Sequence, residues 1–361
     1  MINNQNFSLE SAKRVGTGPY IIWRAKEGAS YAHHPYLCFF KDKYIAMFSL
    51  GKKNEDDLGQ RAVISISEDF EHWSEPIALC VTQNKDSVDT ACGFFVQDDV
   101  LYAFVGSYFY DKAHVENGVR IFKDAGHCGT ALYMLESLDG IHFSPPRRTN
   151  LNMIPNMSPK KLRDGRIMLC GNFSMPYTKN VADVCGWMPG GLDTLASVDD
   201  SESFYAVSER LGLDSVVCEC DIFEQADGIT ALFRSQKKEK FGWLYASRSA
   251  DGVNWTLPRK TNFSNDTTKF STGNLTDGRI YWVGNPVVGG GRNPLVLSLS
   301  ENGVDFTDHF ILSEGARSLK FKGFAKGGTY AYPYAFEREG NLFVVYSVNK
   351  EDIECIRIDL H

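Results

Sequence analysis

Short apolar runs divided by turns set the pattern of this chain, and no helical stripe of comparable length interrupts them. Six times a turn built from Asp, Gly, Lys, Glu or Asn leads into an apolar strand that ends in a small or polar residue. The copies are 41–49, 98–106, 164–171, 227–234, 277–284 and 339–346. Another strand-like run precedes each, for example 35–40 or 216–223. Behind most of them stands a second recurring element: Ser67-Glu68-Asp69-Phe70-Glu71-His72-Trp73, with cognates at 137–143, 249–255 and 300–306 and a looser one at 197–204. In that element the Asp or Asn folds back on its own backbone, a glycine usually supplies positive φ, and the closing aromatic plugs the unit into its neighbour. A signature repeated every fifty to seventy residues or so marks one supersecondary unit used again and again.

Four strands per unit and six units predict an all-β chain, a six-bladed β-propeller of four-stranded antiparallel blades forming one domain over 1–361. The last unit has strands near 330–336, 342–347 and 353–358 and lacks a fourth. The segment near 20–23 is expected to supply it and close the ring, which removes an exposed sheet edge. The longest insertions, 108–126 and 172–190, are candidate functional loops on a rigid frame.

Composition narrows the partners. The net charge of −7 gives no basic face for phosphate, so nucleic acid is not expected. No apolar run reaches the length of about 20 residues that spans a bilayer, so no membrane partner is expected. The first residues show neither a basic nor an apolar leader region, which points to the cytoplasm; a trimmed secreted or periplasmic chain would look the same. The nine cysteines, mostly inside apolar runs, are expected to be free thiols. Cys218-Glu219-Cys220 has no partner pair at zinc spacing, and no cofactor is expected.

In a propeller the first strand of every blade lines the central channel, so polar residues there converge. The first unit offers His33 and His34 with Gln60 and Arg61 nearby; the second Asp89 and Thr90; the third Asn156, Ser158 and Lys160. The fourth offers Glu219 and Asp221 with Arg234; the fifth Ser271, Thr272 and Asn274 with Arg292; the sixth Tyr330, Tyr332 and Tyr334. Arginines facing one axis suit an anionic sugar, because guanidinium forks a carboxylate. Tyrosine and histidine can move protons. Adjacent residues on a strand point to opposite faces, so one of His33 and His34 is expected to face the channel. His72 and His142, just before the closing aromatic of two boxes, read as turn residues. Gly289-Gly290-Gly291 reads as a tight turn that sets Arg292.

These residues resemble the sialidase-like superfamily, whose turn elements are called Asp boxes. The stretch from Glu219 to Gly228, running on to Arg234, resembles the segment that holds the glutamate activating a catalytic tyrosine, followed by a substrate arginine. Arg292-Asn293-Pro294 resembles a further arginine segment, and Tyr330-Ala331-Tyr332-Pro333 the place of the nucleophilic tyrosine. Where sialidases open with Arg-Ile-Pro, this chain has His33-His34-Pro35. That stretch, with Met47–Gly51 and Glu55–Arg61 after it, is similar to propeller α-L-rhamnosidases acting on rhamnosyl-glucuronate and to ulvan-type lyases, many of them seven-bladed. The resemblance implies an exo-acting glycoside hydrolase on an acidic oligosaccharide or polysaccharide. His33 or His34 would be the acid/base, Glu219 and Tyr332 would handle the sugar, and Gln60, Arg61, Asp89, Lys160, Arg234, Arg292 and Tyr330 would bind it. A sialidase with Tyr332 as nucleophile, Glu219 as base and Asp56 or Asp57 as acid, a uronate lyase and a non-catalytic carbohydrate-binding propeller are the alternatives.

Overall fold

Apolar strands joined by two-residue turns pair first with their chain neighbours, and the chain folds accordingly into consecutive antiparallel sheets. A computed structural model describes every residue except 117–118, 122–126, 193–202 and 237–241. The first sheet takes Tyr31–Phe40, Lys43–Gly51, Arg61–Ser67 and Ile77–Leu79 in order; the second takes Val88–Gln97, Val100–Tyr110, His127–Ser137 and Arg147–Arg148. The fourth takes Val217–Gln225, Gly228–Ser235, Trp243–Ser249 and Arg259–Ser264. The fifth takes Ser271–Asn274, Ile280–Gly284, Leu295–Ser300 and Asp308–Ser313, with Lys13–Arg14 added in parallel outside it. The sixth takes Tyr330–Arg338, Asn341–Val348 and Asp352–Asp359, and its fourth strand is Thr17–Trp23, antiparallel with Tyr20 opposite Cys355.

The third sheet departs from four strands per unit. It has only three two-residue strands, Lys160–Lys161, Ile167–Met168 and Tyr177–Thr178. Pro155, Pro159, Pro176 and Pro189 punctuate this region, and a proline has no N–H to give a ladder. Helix is confined to Phe204–Arg210 and one 3₁₀ turn at Lys112–His114 among the described residues, and none of it is long or apolar enough to cross a membrane. None of the nine cysteines is in a disulfide.

The recurring turn has one hydrogen-bond plan. In all four full copies the serine hydroxyl accepts from the amide three residues on, at 2.8–2.9 Å. The Asp or Asn oxygen accepts the amides two and three residues on, at 2.8–2.9 Å. His72 and His142 each bond the carboxylate of their own box at 2.7 Å. The loose copy at 197–204 lies mostly outside the described residues. The closing aromatics pack into the cores: Phe306 is buried with Phe223, Phe263 and Trp282, while Trp73 packs beside Phe343 and Ile353 of the sixth sheet.

Gly303, at φ +71°, shows why this turn wants glycine. A Cβ there would stand 2.8 Å from each of Gln225, Ile280 and Phe223. Gly303→Ala is therefore expected to cost about 1–3 kcal/mol from the positive φ and the overpacking together, read as a shift in the urea midpoint.

Buried polar side chains tie each sheet to the next near the first strands. Ser49 Oγ accepts from the Ala91 amide at 3.0 Å, and Ser158 Oγ from the Phe94 amide at 3.2 Å. Lys160 Nζ donates to Asp221 at 2.5 Å and to the Thr272 carbonyl, and the other Asp221 oxygen accepts the Thr272 amide at 2.7 Å. Ser271 Oγ accepts from Ala335, and Ser347 Oγ meets His33 Nδ1 at 2.6 Å, linking sixth sheet to first. Polar groups on first strands thus come together although they lie hundreds of residues apart.

Candidate functional site

Four first strands carry an irregularity at the same height. Their registers slip between His33 and Tyr36, Ala91 and Phe94, Cys218 and Cys220, and Ala331 and Tyr334. A bulge adds a residue and re-aims side chains. Here it places His34, Glu219 and Tyr332 at φ of +52°, +50° and +55°. Non-glycine residues held in this left-handed region cost roughly 1–3 kcal/mol each and cluster at functional sites.

The three side chains line one cavity of about 240 Å³, together with Asp56, Arg234 and Lys269. Tyr36, Thr90, Tyr108, His127, Asn156, Asn172, Phe204, Cys218 and Gln236 complete most of its wall. At its centre the Tyr332 hydroxyl donates to Glu219 Oε1 at 2.5 Å. Arg234 Nη1 pairs with Glu219 Oε2 at 2.8 Å and stands 3.5 Å from the tyrosine oxygen. Burial holds the Tyr332 hydroxyl well above its ordinary pKa, reinforced by the Glu219 charge and opposed by Arg234. The phenol is therefore neutral, with a carboxylate in place to receive its proton.

Strand alternation fails at the histidines because of the bulge. Instead of facing apart, their rings lie 4.5 Å apart and both contact Tyr332, at 4.1 Å for His33 and 5.3 Å for His34. His34 lines the cavity, while His33 is wholly buried behind it. Ser347 Oγ donates to the Ala331 carbonyl and so accepts from His33 Nδ1, which leaves the lone pair on His33 Nε2. Both imidazoles are pushed well below the usual histidine range, first by burial. For His33 the next cause is His34, followed by Lys350, Arg292 and Lys269; for His34 it is Lys269 and then Lys350. Both are neutral at pH 7.

His33, His34 and Glu55 form the one group among the described residues whose ligand atoms could meet a metal ion, lying within 4.8 Å of one another. The Lys350 ammonium already sits 2.7 Å from both Glu55 oxygens, so the positive charge that carboxylate calls for is in place. Of the adjacent aspartates, Asp57 is bound by the Asn54 amide and side chain, whereas Asp56 lines the cavity. Burial raises the Asp56 carboxyl above its usual range, against the pull of Arg120 and a hydrogen bond from Tyr108.

The other expected site residues are placed elsewhere. Gln60 is buried, donating to the Asp89 carbonyl and Thr90 Oγ1 and accepting the Asp56 amide, so it props the Asp56 loop. Arg61 spreads over the carbonyls of Gln60, Asn84, Lys85 and Ser87, 3.6 Å from Asp89. Asp89 is buried and accepts from Ser107 at 2.7 Å. Lys160 lines a separate pocket with Glu224 and Glu337. Tyr330 donates to the carbonyls of Glu314 and Gly315. Arg292 lies outside the cavity wall, its guanidinium 5.7 Å from the Tyr332 ring centre; Asp266 holds its turn by accepting the Gly289 and Arg292 amides at 2.7 and 2.8 Å. Of the residues expected to act on or bind the sugar, His34, Glu219, Arg234 and Tyr332 meet in the cavity, with His33 behind them; Asp56, the acid of the sialidase alternative, and the channel candidates Thr90 and Asn156 line it too.

Sequence reading missed Lys269. Its ammonium stands 5.0 Å from the ring centres of both Tyr36 and Tyr332 and donates to Tyr36 Oη at 3.2 Å. It follows Thr267-Thr268 just ahead of a strand, where a lysine attracts no notice.

Consecutive antiparallel sheets tied at their first strands, with a tyrosine–glutamate–arginine cluster in a polar cavity where those strands bulge, define a β-sheet protein of repeated units. The BNR repeat-like domain matches residues 44–344, and the chain belongs to that family. No curated protein matches it in sequence. Among solved structures it resembles one described as "Sialidase", at 18% identity and TM-score 0.66, over 96% of this chain and 33% of that one. It also resembles the Hadza microbial sialidase Hz136, at 12% identity and TM-score 0.67, over 91% and 66%. The Trypanosoma rangeli sialidase in complex with sialic acid shares 11% identity at TM-score 0.61, over 97% and 60%. The chain thus spans less than two thirds of the length of each, and at these identities the likeness is one of fold.

Proposed function

We propose that this protein is an exo-acting glycoside hydrolase on an acidic glycan, its six sheets acting as the blades of one propeller. The observation that carries the reading is the Tyr332 hydroxyl, 2.5 Å from Glu219 with Arg234 beside both, on the wall of a cavity that also holds Lys269. In this reading Tyr332 oxygen attacks the anomeric carbon while Glu219 takes its proton. Asp56 gives a proton to the departing glycosidic oxygen. Water then releases the sugar from the tyrosine and restores all three groups. A neutral nucleophile approaches an anionic sugar without charge repulsion, and tyrosine is a known exception to the two-carboxylate plan. The fold shared with sialidases supports this chemistry.

The test is turnover of a sialoside and of a rhamnosyl-glucuronate disaccharide by wild type, Tyr332→Phe and His34→Ala. Loss with Tyr332→Phe on either substrate supports the tyrosine pathway. One observation favours a second reading: His34 lines the same cavity and is neutral, hence able to accept a proton. It predicts that His34→Ala is inactive while Tyr332→Phe turns over. An ultraviolet-absorbing unsaturated product would place the same histidine in an elimination.

The Asp56 role has a pH signature. Its carboxyl stays protonated above the ordinary aspartate range, so an acid-dependent rate is flat at low pH and declines as pH rises through the elevated value. Asp56→Asn should abolish that decline. It should cost about 10²–10⁴-fold on a natural linkage and little on an aryl glycoside, whose leaving group needs no proton.

A further inference from the structure

A buried charge is normally paired, because leaving water without a partner costs more than a fold tolerates. Lys269 is 2% exposed, yet among the described residues no carboxylate stands within ion-pair distance of it. Among the described residues its hydrogen bond goes to Tyr36 Oη, which itself donates to the Asn156 carbonyl. Its ammonium is on the cavity wall beside Tyr332.

The arginine on the cavity wall is already engaged. Arg234 holds Glu219 through Nη1 and Cys218 Sγ through Nε at 3.3 Å. Arg292 does not reach the wall. The sequence pattern assigns anion recognition to these two arginines; in the structure Arg234 is held by Glu219 and Cys218, and Arg292 is not part of the cavity wall.

We infer that Lys269 is the anion anchor of the cavity, its ammonium taking the single carboxylate or sulfate-ester group of a sugar bound against Tyr332. That the ligand is a sugar rests on the function proposed above. Lysine is a point charge and not a fork, so it fixes where the anion sits without demanding a planar, two-pronged partner. The electrostatics agree. Burial lowers the lysine to about 8, with Glu219, Asp221 and Cys92 pulling upward and Arg234 downward, so it is charged at pH 7. Tyr36, Tyr332, His33 and His34 are the remaining titratable groups facing it.

Calorimetry on the intact protein tests this without needing turnover. The ligands are glucuronate, N-acetylneuraminate, glucose 6-sulfate and uncharged glucose. Wild type is expected to prefer at least one anionic sugar over glucose by roughly 30-fold or more, the usual scale for a desolvated charge pair. The preferred anion tells carboxylate from sulfate. Lys269→Met should erase the preference, and Lys269→Arg should keep most of it. Wild-type affinity should fall as pH rises past about 8, whereas Lys269→Arg should stay level there, since guanidinium does not titrate. Absence of any anion preference in wild type overturns the inference, as does a preference that survives in folded Lys269→Met. Should Lys269→Met not fold, the pH comparison between wild type and Lys269→Arg decides. The inference stands alone if anions bind through Lys269 but Tyr332→Phe changes no activity; the catalytic reading stands alone if Tyr332→Phe is inactive and Lys269→Met keeps its preference.

Discussion

Tyr332→Phe is expected to lower kcat by roughly 10³-fold or more while substrate affinity stays within about threefold, as befits loss of a reacting group and not of a binding contact. The substitution removes one oxygen and keeps the ring. The ring contacts to His33 and Lys269, at 4.1 and 5.0 Å, therefore survive. Glu219 keeps its pairing with Arg234, so the cluster should not collapse. What disappears is the hydroxyl whose proton Glu219 Oε1 is placed to take. Steady-state kinetics with calorimetric binding separates the two effects. A fall of less than tenfold would transfer the chemistry to His34. Trapping of a glycosyl group on Tyr332 by a fluorinated substrate, seen by mass spectrometry, would be the positive counterpart.

Lys160→Met is expected to destabilise the fold by about 3–5 kcal/mol, because it leaves the wholly buried Asp221 carboxylate without its cation. Lys160 also donates to the Ile222 and Thr272 carbonyls, so one ammonium joins the third, fourth and fifth sheets. Burial already raises Asp221 above the ordinary aspartate range even with Lys160 present. Removing the lysine raises it further. A carboxyl whose folded pKa is raised contributes most below its unfolded pKa and loses that contribution as pH rises through the folded value. The penalty in Lys160→Met should accordingly be small in acid and full near neutrality, and urea denaturation at two pH values checks this. Adding Asp221→Asn should recover part of the loss at neutral pH.

Much of the fold was legible because its signals are local. Ser67, Asp69 and their three full counterparts bond amides two and three residues away, so the turn is written where it forms. Strand lengths and short turns then dictate neighbour pairing. The third sheet was less legible, since Pro155, Pro159 and Pro176 shorten its strands inside a pattern that otherwise reads like the rest. At the site, Glu219, Arg234 and Tyr332 stood out through their motif context. Lys269 did not, because its meaning depends on the side chains that the fold brings around it, Tyr36 and Tyr332 among them. The histidines were misplaced by alternation: the slips are marked only by Pro35, by Gly93 at φ +95° and by Pro333, which stand inside three of the four and are easily passed over in an apolar run. Arg61, Asp89 and Tyr330 are polar on first or returning strands, but their partners are backbone groups and hydroxyls that only the tertiary packing supplies.

The pairing of Thr17–Trp23 with Asp352–Asp359 has a bearing on biogenesis. Thr17–Trp23 is synthesised long before Asp352–Asp359 and finds its partner only when the far end of the sixth sheet has been made. At ordinary elongation rates that interval is roughly 20–70 s. Throughout it Ile22 and Trp23, destined for the core, lack the part of their cover that Phe343, Val345, Ile353 and Cys355 supply. Nascent chains of this protein should depend on a holding factor during translation. A circular permutant that fuses residue 361 to residue 1 and opens a loop elsewhere would synthesise the two strands in immediate succession and relieve that dependence.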